Sequence, residues 1–76
     1  MHDLMIDVPT QNGSIAVKVY RIEKIERKNG YTCIYMNSGY NEPKETIITT
    51  LGVKATLNRI KNAYAEMEAA LQKMRG

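Results

Sequence analysis

The feature that most constrains this chain is an apolar stripe near its C-terminus. Val53, Leu57, Ile60, Tyr64, Met67, Leu71 and Met74 follow one another at alternating spacings of four and three residues. An α-helix brings such positions onto one face, because its period of about 3.6 residues lies between three and four. The spacing predicts one long amphipathic helix over residues 51–75. With Leu57, Tyr64 and Leu71 taken as the a positions of a heptad, Val53, Ile60, Met67 and Met74 fall at d. The e positions are then Lys54, Lys61, Glu68 and Arg75, and the g positions Thr56, Ala63 and Ala70. A parallel two-stranded coil chooses its partner through charged g and e residues. Here the g edge is small and uncharged, which admits close approach to a flat surface or to an antiparallel helix.

Upstream, the period changes from helical to two. Leu4, Ile6 and Val8 alternate with Met5 and Asp7, the mark of a short strand. Pro9, which has no N–H, is expected to end its ladder. Asn12-Gly13 then reads as a type I′ hairpin turn. Ile15, Val17 and Val19 make a second alternating run, and its phase breaks before Ile22 and Ile25. A bulge or short turn near Tyr20-Arg21 is expected, with the strand continuing to Ile25. Asn29-Gly30 is a second turn of the same chemistry. Tyr31 to Met36 and Glu45 to Thr50 read as the third and fourth strands, the last rich in β-branched residues. Thr49 or Thr50 is placed to cap the helix.

Strands first and one helix last predict an α+β domain: a four-stranded antiparallel β-meander over 4–50 with the helix on one face. The chain has 76 residues, enough for one domain. A domain of this size buries only about 60% of the surface its unfolded chain exposes. Its aromatic content is five Tyr, with no Phe or Trp, which suits a thin core or an interface. A helix of this length spans roughly 33 Å, against about 20 Å for a six-residue strand. Its last turns, Met67 to Met74, are therefore expected to project or to meet another chain.

The first two-thirds of the chain resembles the short flagellar-operon proteins of the FlbD type and their small relatives. The likeness rests on Met5-Ile6, Val8 and Asn12-Gly13, on Ile22-Glu23-Lys24-Ile25-Glu26, on Thr32-Cys33-Ile34-Tyr35-Met36-Asn37-Ser38-Gly39, and on Lys44-Glu45-Thr46. It covers about residues 5–48. It implies a small non-enzymatic protein without cofactor or catalytic residues, and it supplies no ligand. The segment after Gly39 departs from the pattern, and the helix is longer than the family usually carries.

The residues themselves point away from catalysis. His2 is the only histidine and sits at a chain end, and Cys33 is the only cysteine and falls inside a strand. No nucleophile has a recognisable base, and His2, Asp3 and Asp7 are a weak metal set without cysteine partners. No enzyme activity, cofactor or metal is expected. One cysteine allows no internal disulfide, and no apolar run reaches the ~18 residues of a membrane span. A cytoplasmic protein is expected.

Two interaction surfaces remain. Net charge is +3. Lys18, Arg21 and Lys28, with Tyr20, Tyr31 and Tyr35, would form a tyrosine-and-cation surface for single-stranded nucleic acid if they shared a sheet face. Glu23 and Glu26 dilute that patch, and a solvated strand face of mixed sign is the plainer reading. The helix is the stronger signal. Tyr64, Met67, Leu71 and Met74, flanked by Ala63 and Ala70, are expected to form a homo-oligomer interface. The sequence thus predicts a small interaction module that pairs with itself, as a dimer or higher oligomer, and binds a protein or nucleic acid, but no membrane.

Overall fold

The computed structural model describes residues 4–75. Its elements follow in the order β1 (Met5–Thr10), β2 (Gly13–Lys18), a 3-10 turn (Val19–Arg21), β3 (Ile22–Lys28), β4 (Tyr31–Met36), β5 (Glu45–Thr49) and α1 (Val53–Arg75). The fold is α+β. Five antiparallel strands form two sheets, β1-β2 and β3-β4-β5, and the helix comes last. The strand expected from Ile15 to Ile25 resolves into β2 and β3. The phase break between Val19 and Ile22 is a 3-10 turn that buries Val19 and Arg21 and exposes Tyr20. A residual bulge lies between Ile22 and Lys24.

The two sheets meet along both margins. The Val19 N–H donates to Leu4 O (2.9 Å), and the Asn37 N–H to Arg21 O (2.8 Å). On the other side, Pro9 O accepts from the Thr50 N–H (3.1 Å) and the Thr49 hydroxyl (2.7 Å). Pro9 therefore does not end β1, which runs on to Thr10 with Pro9 opposite Ser14. In a strand the N and C=O of one residue point to the same margin. The missing N–H of Pro9 thus faces β5 and leaves the β1-β2 ladder intact.

The turns differ in detail. Asn29 and Gly30 both have positive φ, 53° and 82°, as a type I′ turn requires. At the first hairpin only Gly13 does, at 109°. Here the Thr10 hydroxyl closes the turn, donating to Gly13 O and accepting from the Asn12 N–H. The expected type I′ turn at Asn12-Gly13 is thus replaced by one that a threonine side chain holds.

Inward-facing residues of both sheets build the core: Ile6, Val8, Val17, Val19, Ile34, Met36 and Ile47. Just before α1, the Gly52 carbonyl accepts from both the N–H and the hydroxyl of Thr56 (3.0 and 2.9 Å). Thr49 does not cap the helix. Its hydroxyl holds the preceding turn by accepting from the Leu51 N–H (3.2 Å). Ile60 and Ala63 pack against the core beside fully buried Thr56, and α1 leans on β1 and β3. Its C-terminal turns extend beyond the sheets, and the molecule measures 47 × 29 × 21 Å. Among the described residues, no helix is long and apolar enough to cross a membrane.

Candidate interaction surfaces

The heptad stripe divides along its length and around its girth. Docking uses the g/d flank: Thr56 and Ala63 at g, Ile60 at d. Small g residues let the helix backbone come close to β1, where the Arg59 guanidinium donates to Asp7 O (2.9 Å). The a row lies about 100° round the helix from g. It stays half-exposed, at 51% for Leu57, 46% for Tyr64 and 49% for Leu71. Met67 and Met74, although at d, are exposed because the sheets end before they do. Of the expected interface residues, Tyr64, Met67, Leu71, Met74 and Ala70 are exposed, whereas Ala63 packs against the core of its own chain. The exposed row continues sideways into a groove between α1 and β3, lined by Val19, Ile22, Ile25, Leu57, Ile60 and Tyr64. Ile22 and Ile25 were not legible as part of this surface, since a strand's phase does not say which helix flank it faces.

The second surface is the outer face of β3-β4-β5. Strand pairing sets Lys24 against Tyr35, Glu26 against Cys33 and Lys28 against Tyr31, and Cys33 against Ile48 on the other side. Tyr31, Tyr35 and Lys28 thus share one face. Tyr35 is engaged within the chain: its hydroxyl donates to Glu26 Oε1 (2.6 Å), and Lys24 Nζ lies 5.2 Å from its ring centre. That hydrogen bond is the main cause that pushes the Tyr35 phenol up to about 12. It also leads, ahead of Lys24, in holding the Glu26 carboxyl below the usual carboxylate value. A groove beside Tyr35 carries Lys24 and Lys44 against Glu23 and Glu45, so the face is mixed in sign.

The other three residues of the expected nucleic-acid face lie elsewhere. Tyr20 is exposed on the 3-10 turn. Lys18 and Arg21 enter a structural knot with the loop between β4 and β5. Arg21 is only 5% exposed. Its guanidinium donates to Asn37 O through Nε and Nη2 (3.2 and 2.8 Å) and to Pro43 O through Nη2 (2.9 Å). Its Nη1 lies 2.9 Å from Glu42 Oε2 and 3.4 Å from Glu45 Oε1. Lys18 Nζ reaches Glu42 Oε1 at 2.8 Å. The Lys18 hydrogen bond leads in lowering the Glu42 carboxyl below its usual value; burial opposes it, and the charges of Arg21 and Lys18 assist. Glu42, the centre of the knot, carries no sequence signal beyond its place in a turn.

Cys33 is buried and free, and the described residues hold no group of three or more His, Cys, Asp or Glu side chains suited to a metal. His2 and Asp3 lie outside the described residues. Fold and surfaces together define a small α+β domain with an unpaired apolar helix face. No family model, curated protein or solved structure matches the chain.

Proposed function

We propose that this chain is a non-enzymatic interaction module of the cytoplasm that associates with itself through α1. The observation that carries the reading is the a row. Leu57, Tyr64 and Leu71, with Met67 and Met74, form an apolar strip that keeps heptad spacing past the end of the sheets. A strip that served only to cover the chain's own core would stop where the core stops. Contiguous exposed apolar surface of this kind marks association sites. The resemblance to the FlbD-type proteins covers about residues 5–48 and stops short of this helix, which is longer than that family usually carries.

Nucleic-acid binding has less support. Of the six residues it would use, Lys18 and Arg21 are tied to Glu42, Tyr35 is tied to Glu26, and Tyr20 stands apart from the sheet face. Tyr31 and Lys28 remain.

Sedimentation equilibrium of the wild type and Leu71→Asp tests the main reading. The wild type should sediment as an oligomer at tens of micromolar and Leu71→Asp as a monomer, both with the same far-UV dichroism. Leu71 is half-exposed and beyond the sheets, so the variant should fold. A wild type that stays monomeric at high micromolar concentration would remove the proposal.

A further inference from the structure

We infer that two copies of this chain pair through their α1 helices antiparallel, about a two-fold axis near residues 65 and 66, so that the last turns of each fill the α1–β3 groove of the other; this rests on the self-association proposed above. The sequence spacing carries the inference. In an antiparallel pair a positions meet d positions of the second copy. Setting Tyr64 against Met67 of the second copy also sets Ile60 against its Leu71 and Leu57 against its Met74. Every exposed apolar residue of the stripe then has a partner. The same alignment places Lys61 beside Glu68 of the second copy and, by symmetry, Glu68 beside its Lys61. Neither has an ion-pair partner within its own chain among the described residues.

A parallel pair does none of this. Its e residues would face Thr56, Ala63 and Ala70, leaving Lys61 and Glu68 without counter-charges. It would also stack each projecting end on the other and leave the groove of Ile22, Ile25, Leu57, Ile60 and Tyr64 open. The antiparallel alignment brings Leu71 and Met74 of the second copy to Ile60 and Leu57, two of the three helical residues that line that groove. The contact is isologous and closes at two chains.

Two measurements test it on the whole chain. In sedimentation equilibrium, Lys61→Glu and Glu68→Lys should each weaken dimerisation by about tenfold, since each replaces two symmetry-related attractions by two repulsions. The double variant should return to within about threefold of the wild type. Second, spin labels are placed one at a time at Asn58, Ala65 and Gln72, which share one helix face, in a Cys33→Ala background. The antiparallel pair places the two Ala65 labels nearly level along the axis, and the Asn58 and the Gln72 pairs about 20 Å apart along it. Distances shortest at Ala65 and long at both other sites support the inference. Equal distances at all three sites, or single charge reversals without effect, overturn the antiparallel pairing while leaving self-association standing. A monomeric wild type overturns both.

Discussion

Arg21 shows how one side chain can organise a loop it is far from in sequence. Its guanidinium makes five polar contacts to residues 37–45. Arg21→Met keeps most of the bulk and removes every donor. The carbonyls of Asn37 and Pro43 lose a partner, and Glu42 loses its buried counter-charge. The expected cost is about 2 kcal/mol, read as a shift of roughly 2 M in the urea midpoint at a slope of about 1 kcal/mol/M. An unchanged midpoint would show that the loop is held by something else. Protonation attacks the same knot from the Glu42 side. The Glu42 carboxyl is depressed below its usual 4.5 by Lys18 first and then by the nearby charges. A depressed folded value gives stability that is complete above about 4.5 and is lost as the pH falls through the lower folded value. The wild type should therefore lose more stability between about pH 5 and pH 3 than Glu42→Gln does. Glu26, depressed by Tyr35, keeps some acid sensitivity in both. Parallel acid limbs in chemical denaturation would show that Glu42 contributes nothing to the pH dependence.

At the scale of elements, α1 was plain in the sequence from its period, and β4 from its composition between turn residues. Seven apolar residues at helical spacing admit no strand, and Tyr31 to Met36 is a short run of apolar, aromatic and β-branched residues after an Asn-Gly turn. What periodicity does not carry is the identity of the facing surface. The stripe of α1 reads as one seam, yet the sheets take its g/d flank and leave its a row free, because Thr56 and Ala63 permit the close approach that Leu57 and Tyr64 do not. The break after Val19 was visible as a lost phase, but the change of sheet there was not, since alternation is the same whichever sheet receives it. For the candidate surfaces the pattern repeats. The apolar helix end was legible, while Arg21 and Lys18 read as solvent-facing cations. Their partners arrive from a loop more than fifteen residues away, and local sequence does not encode that distance. Pro9 misled for a related reason: its missing N–H matters only on the margin that pairs, and here the other margin does.

For the whole molecule, the limiting quantity is core size. Among the described residues, a core cluster of seven buried side chains, none aromatic, holds two small sheets together, and the longest element is covered along only part of its length. A domain of this size has a small margin of stability, so surface buried by association becomes a large fraction of the total. If the pairing of α1 completes the fold, stability depends on concentration by mass action. A hundredfold increase above the dissociation constant contributes about 2.7 kcal/mol per dimer, half of that per chain. For a chain of this length that corresponds to a rise of roughly 5–10 °C in the thermal midpoint. Calorimetry of the wild type at about 10 and about 1,000 μM should show that rise, and Leu71→Asp should melt at one temperature throughout. Lys61→Glu combined with Glu68→Lys should recover the concentration dependence that either reversal alone weakens. A wild-type midpoint that does not move, in a sample that sediments as a dimer, would mean that dimers survive unfolding or form without adding to the stability of the fold. The projecting turns of α1 would then be a contact between finished domains and not the missing part of their core.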